Sequence, residues 1–216
     1  MRYCINLERR PDRKTEFIER YNSKENIVFF NAIDLRTKTY EFDKIESKIS
    51  ESSLLVGEKG CFLSHLKLWK EIKTTSIIFE DDCHFNENFK GISEIFHHIP
   101  QDADIVYIGG TPTPNYIKPT FPTLVVNTHF VKKIRKNALT THAYIITEKG
   151  ANKLIRLCEK TSIKPLDGWL FSLPITIYEL KEHTCYSPLN YKTDIQIDVN
   201  SNTQLPSSHE ILLDTE

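Results

Sequence analysis

Apolar positions along the chain switch between a period of two and a period near 3.6, and the switches outline alternating strands and helices. Residues 2–7 alternate in the manner of a strand, and Arg9-Arg10-Pro11-Asp12-Arg13 ends that pattern. Pro11 suits a first helical position, and the spacing from there to about Tyr21 predicts an amphipathic helix with Phe17, Ile18 and Tyr21 on one face. Residues 27–33 predict a second strand, closed by Asp34. Residues 36–56 are polar and rich in Ser, Lys and Glu, which predicts a long connection or a small helical excursion. From Glu58 to Lys73, the residues Cys61, His65, Leu68, Trp69 and Ile72 recur at helical spacing, with Gly57 and Gly60 near the start. His65 lies on that apolar stripe and reads as a hydrogen-bonded core histidine.

The run Ile77-Ile78-Phe79 has no polar face, as expected of a central parallel strand covered on both sides. A helix is expected around 89–98, and a buried strand over Asp104–Gly110. About 111–137 hold four prolines and the basic run Lys132-Lys133-Ile134-Arg135-Lys136, which predicts a long irregular loop. Thr141–Thr147 reads as a strand, and Thr147 as the cap of a helix running to about Glu159. From about 196 the chain is a polar tail. Strands alternating with helices give an α/β class with a mostly parallel, mixed sheet flanked by helices.

At 216 residues the length fits one domain, 1–216, with a substantial core. Hydrophobic residues make up 39% and charged residues 26%, the balance of a globular chain. A formal net charge of −1 gives no electrostatic case for nucleic acid or an anionic membrane. No apolar run approaches the roughly 20 residues a transmembrane helix needs, and the first residues are too briefly apolar for a signal peptide. The five cysteines are odd in number, scattered and without a C-x-x-C pair, so reduced thiols and a cytoplasmic location are expected. Cys83 and His84 follow the acidic cluster described next, but zinc ligation is not expected there for want of a partner at zinc spacing.

That apolar strand runs straight into Glu80-Asp81-Asp82. Two carboxylates about 4 Å apart repel by roughly 1 kcal/mol in water and about 4 kcal/mol near a protein surface, so a fold that stacks three calls for a cation. Hard oxygens suit Mg or Mn. In an extended strand Glu80 and Asp82 share a face and Asp81 points away, so few of them can converge on one ion. Such sparse sites also take phosphate oxygens from a substrate, which points to metal-assisted handling of a diphosphate. The alternative is a solvated acidic turn. Open parallel sheets bind ligands beyond the carboxyl ends of their strands, where this cluster falls.

Several segments in order resemble glycosyltransferase family 25: Ile5-Asn6-Leu7 with Arg9 and Asp12-Arg13; Asn31-Ala32-Ile33-Asp34; the stretch from Gly57 through Gly60-Cys61 and Ser64-His65 to Trp69; Ile78 to Asp82; Asp104 to Gly109; Thr141 to Ala151; and Pro165 with Asp167. They span roughly residues 2–170. The most specific element is Gly-x-x-Gly-Cys-x-x-Ser-His followed by Glu-Asp-Asp.

The resemblance implies a GT-A-like fold and an inverting, metal-dependent glycosyltransferase with a UDP-sugar donor and Mn2+ (or Mg2+). The acceptor would be a glycan, a lipid-linked sugar or a protein hydroxyl. Asp82 is the first choice as metal ligand, with Glu80 beside it, and Glu80 and Asp81 would bind ribose or metal-bound water. Asn6 and Leu7 mark where uracil sits in such folds. Arg9 and Arg13 either face the nucleotide or form a solvated first helical turn. Asp34 either binds ribose or base, or is an ordinary turn residue. Gly60 and Ser64 either serve the nucleotide or allow close helix packing. Asp167 matches the family's late Pro-x-Asp and is expected to be the general base, a role compatible with capping a helix that begins near Gly168.

After Pro188 the resemblance leads one to expect a short run to a Gln, and Leu189 to Asp194 intervene, which motivates a second reading as a non-catalytic nucleotide-sugar or glycan-binding domain. A phosphohydrolase ranks last, because Cys83-His84 stands where Asp-x-Asp-x-Thr chemistry needs other residues. No second transferase domain is expected in this length. The donor sugar and the oligomeric state are not legible.

Overall fold

In the computed structural model, residues 1–21, 23–109, 123–125, 129–133 and 141–188 are described. The strands are β1 (Arg2–Asn6), β2 (Val28–Asn31), β3 (Ser76–Glu80), β4 (His84–Phe85), β5 (Ile105–Tyr107), β6 (Thr123–Val125), β7 (Phe130–Lys133), β8 (Ala143–Ile146), β9 (Ile177–Leu180) and β10 (Cys185–Tyr186). The helices are α1 (Pro11–Arg20), α2 (Lys44–Ser50), α3 (Val56–Glu71), α4 (Ile92–Ile95), α5 (Glu148–Lys160) and α6 (Leu166–Ser172). Short 3-10 turns, Glu87–Gly91 and Phe96–His98, flank α4, so the helix expected around 89–98 is broken into three pieces. Most of the 111–137 segment and the whole 196–216 tail lie outside the described residues.

Eight strands form one sheet in the order β2-β1-β3-β8-β5-β9-β7-β6, and β4 pairs with β10 in a small second sheet. The expected α/β class, with a mixed sheet flanked by helices, is what the chain forms. Three of the described pairings in the main sheet, β1–β2, β1–β3 and β5–β9, are parallel, and four are antiparallel. The antiparallel share arises partly because β8 inserts between β3 and β5 in the opposite direction. Strands buried on both faces read alike in sequence whichever way they run, so the residues do not disclose this reversal.

β3 supplies both faces of the core. Ile78 packs with α3, α5 and α6 residues such as Phe62, Leu66, Leu154 and Trp169, while Ile77 and Phe79 pack with Phe17 of α1 and with Phe89 and Ile92 on the other side. All three are fully buried. Burying such a side chain stabilises the fold by roughly 1.5–3 kcal/mol.

α1 begins with Pro11 at its first position, as expected. Phe17 is buried, but Ile18 is 53% exposed, against the expected apolar face. The inward stripe is Arg13 and Phe17 with Tyr21 just beyond the helix, spaced four residues apart; Ile18 is rotated about 100° from it.

α3 buries eight of its residues, and Glu58 accepts a hydrogen bond from the Leu55 N–H at its start. A Cβ on Gly60 would stand 2.7 Å from the Ile33 carbonyl oxygen, so glycine lets the helix approach the end of β2. Ser64 fastens the same junction: its Oγ accepts from the Ile33 N–H at 2.8 Å and donates to the Gly60 carbonyl at 2.6 Å. α5 is capped by Thr147, as expected, whose Oγ1 accepts from the Gly150 N–H. At its other end Lys48 Nζ donates to the carbonyls of Cys158, Glu159 and Thr161. No helix among the described residues is long and apolar enough to cross a membrane.

Candidate functional site

The parallel pairs β1–β2 and β1–β3 carry their carboxyl ends to one edge, and a cleft opens there. Leu7 follows β1, Ala32, Ile33 and Asp34 follow β2, Glu80 ends β3, and Asp81 and Asp82 follow it. Arg13 of α1 and Gly60, Cys61, Ser64 and His65 of α3 complete the wall. Leu7, Arg13, Asp34, Gly60, Ser64 and the three acidic residues of the 80–82 cluster, from five separate stretches of the chain, therefore meet in one place.

Each carboxylate has a different environment. Asp81 is buried and held by Arg13, whose Nη2 lies 2.7 Å from Oδ1, and by Asn6, whose Nδ2 donates to Oδ2 at 2.7 Å. Burial raises its pKa, and Arg13 and Asn6 offset only part of that. Glu80 Oε1 accepts from Thr141 Oγ1 at 2.5 Å and lies 3.2 Å from His65 Nε2. Burial opposes ionisation, but the His65 and Thr141 hydrogen bonds outweigh it and leave the Glu80 pKa lowered.

Asp82 is the poorly compensated member. Its Oδ2 accepts from Ser187 Oγ at 3.1 Å and stands 3.9 Å from Arg13. Its Oδ1 is buried with no hydrogen-bond partner among the described residues. Burial, then the charges of Glu80 and Asp81, push its pKa up to about 7. A buried carboxylate oxygen without a donor, beside two further carboxylates, fits a divalent cation ligated through hard oxygens.

The backbone of this acidic turn is itself held. Arg20 donates to the Asp81 carbonyl at 2.8 Å and to the Cys83 carbonyl at 3.3 Å. Asp34, in the lining beyond β2, pairs with Arg9 at 2.7 Å and accepts from the Arg36 N–H. Burial opposes its ionisation, yet Arg9 and neighbouring donors leave its pKa lowered.

Other expected residues are placed differently. Asn6 is reached through Asp81 and Arg9 through Asp34; neither lines the cleft. Arg13 is 7% exposed at its side chain, which removes the reading of a solvated helical turn. Gly60 and Ser64 pack α3 against β2, as the close-packing reading expects, and they also line the cleft. Asp167 is outside the lining; it is the second residue of α6, whose N-cap is Pro165, so it does not cap a helix beginning near Gly168. Its carboxylate does accept from the Gly168 N–H at 2.7 Å.

His65 is the hydrogen-bonded core histidine expected, with Nδ1 2.8 Å from Tyr144 Oη. Thr141, Ser187 and Arg20 were not expected in the site. The partners of Thr141 and Ser187 lie 61 and 105 residues away, and no local pattern signals such pairs. The five cysteines are free thiols, as expected.

The model of Glycosyltransferase family 25 (LPS biosynthesis protein) matches residues 1–169. Probable inactive glycosyltransferase 25 family member 3 of Bos taurus is 28% identical over 191 residues, 78% of this chain and 30% of that protein. Procollagen galactosyltransferase 2 of Homo sapiens is 28% identical over 190 residues, 78% of this chain and 29% of that protein. The chain thus matches about three tenths of the length of these relatives. A solved glycosyltransferase involved in the glycosylation of the major capsid of PBCV-1 aligns with a TM-score of 0.40 and 6% identity, over 86% of this chain and 91% of that one; the family match owes nothing to it.

Proposed function

The chain belongs to glycosyltransferase family 25, and from that premise we propose that it transfers a sugar, with inversion, from a UDP-sugar to a hydroxyl of a glycan, a lipid-linked sugar or a protein. The observation that carries the reading is Asp82 Oδ1, buried and without a donor among the described residues, in a cleft that Glu80 and Asp81 also line. Asp82, with Glu80 second, would hold Mn2+ or Mg2+. When bound, such an ion offsets the charge that builds on a leaving diphosphate.

The chain's own residues divide the remaining work. Arg13 and Asn6 hold Asp81 in place, so that Asp82 is the carboxylate left for the ion. Leu7, Ala32 and Ile33 offer an apolar seat for a base, and Asp34, fixed by Arg9, is set to accept from ribose hydroxyls. Gly60 and Ser64 hold α3 close enough to β2 to form the wall. On the acceptor side, Asp167 is the proposed general base: its carboxylate takes the proton of the attacking hydroxyl as the new glycosidic bond forms.

A second reading is a domain that binds a nucleotide sugar without turning it over. The name of the Bos taurus relative, which calls that protein inactive, is the observation that favours it. The test is UDP release from UDP-galactose, UDP-glucose and UDP-N-acetylglucosamine with Mn2+ and a panel of hydroxyl acceptors. Acceptor-dependent release that is lost in Asp167→Asn supports transfer and the base. UDP binding without any release supports the second reading.

A further inference from the structure

Cys61 and His65 are one helical turn apart on α3, and together with Glu80 they form a cluster that the proposed transfer leaves partly unused. One ligand atom from each of the three lies within 4.8 Å of the other two. All three line the cleft, so an ion has a path from solvent. We propose that Cys61, His65 and Glu80 form a second cation site, suited to a thiophilic divalent ion of the zinc class and sharing Glu80 with the hard-oxygen site at Asp82.

The distances favour it. With bonds of 2.0–2.1 Å to nitrogen and oxygen, a tetrahedral ion separates those two atoms by about 3.3 Å. His65 Nε2 and Glu80 Oε1 are 3.2 Å apart, so that edge needs no rearrangement. A sulfur bonded at about 2.3 Å belongs about 3.6 Å from its neighbours, so Cys61 Sγ has at most roughly 1 Å to travel. Three protein ligands with a fourth position open to the cleft is the pattern of an accessible zinc site.

The surrounding shell fits as well. Tyr144 Oη meets His65 Nδ1 at 2.8 Å and is itself held by the Trp69 Nε1–H at 2.9 Å, which fixes the ring with Nε2 toward Glu80. Thr141 orients Glu80 Oε1. Such outer partners commonly hold a metal-bound histidine and carboxylate in register. Binding costs one proton from the Cys61 thiol, released to solvent, and any proton shared between His65 and Glu80. The thiol binds as a thiolate, so affinity should rise with pH. Glu80 is common to both cation sites, so an ion here draws it from Asp82; that consequence rests on the proposed function, whereas binding itself does not.

The test is Co2+ titration of the full chain, reduced and freed of metal with a chelator. One equivalent should produce a thiolate-to-cobalt charge-transfer band, which Zn2+ displaces and excess Mg2+ does not. The band should persist in Asp82→Asn and vanish in Cys61→Ser with unchanged far-ultraviolet circular dichroism. Tyr144→Phe should weaken Co2+ affinity about 10–100-fold. Absence of the band, or its survival in Cys61→Ser, overturns the proposal and leaves His65 and Glu80 as a hydrogen-bonded pair. If Cys61→Ser does not fold, zinc protection of Cys61 against alkylation in the unaltered protein decides, read by peptide mass spectrometry; equal labelling with and without zinc overturns the proposal.

Discussion

At the scale of single residues, the cleft sets stability against binding. The Asp82 pKa rises from an ordinary 3.8 to about 7 in the folded protein, a difference worth about 4 kcal/mol at full strength. Folding therefore favours protonated Asp82. The contribution is complete below about pH 4 and is lost as pH rises through about 7. Asp82→Asn removes the charge, so in EDTA at pH 8 the variant should be more stable than the parent by about 1–4 kcal/mol, and the gap should close toward pH 4. Urea unfolding across that range measures it; a variant less stable at pH 8 contradicts the account. The same variant should lose at least about 100-fold in Mn2+-dependent transfer.

Arg13 behaves oppositely. It is buried against Asp81, and Arg13→Met leaves that carboxylate without its cation, at a cost of about 3–5 kcal/mol in denaturant unfolding. A loss below about 1 kcal/mol would mean that the pair is not desolvated. Glu-Asp-Asp at the end of an apolar strand was legible because the change from apolar to charged is local. Arg13 was not legible as a buried residue, since amphipathic spacing assigns arginine to solvent and its partner lies 68 positions away.

At the scale of elements, the cleft depends on how closely α3 approaches the end of β2. Gly60→Ala places a methyl 2.7 Å from the Ile33 carbonyl oxygen, and backbone, not a flexible side chain, must yield. The variant should lose about 1–3 kcal/mol of stability. Nucleotide binding should weaken with it; full retention of both would show that this approach is not tight. The helix itself was plain from its periodicity, and the glycine suggested close packing, but the identity of the opposing strand required the fold. The same limit applies to α1, where Phe17 and Ile18 are equally apolar in sequence and only the four-residue register with Arg13 and Tyr21 separates buried from exposed. The capping reading of Asp167 places a helix start near Gly168, yet α6 begins two residues earlier, at Leu166, with Pro165 as its N-cap.

At the scale of the whole molecule, the ends of three strands and two helices converge so that four carboxylates, one buried guanidinium and apolar side chains share one opening. The α/β class followed from the alternation of elements, whereas the reversal of β8 did not, because a strand buried on both faces carries no direction in its residues. The most direct test of the central claim is calorimetric titration of UDP into the full chain with MnCl2 and again with EDTA, on the parent protein and on Asp82→Asn. Binding that requires manganese and is lost in the variant is the predicted result. UDP binding that is equal in EDTA, or unchanged in Asp82→Asn, would contradict the assignment of this cleft as a site for nucleotide and metal together.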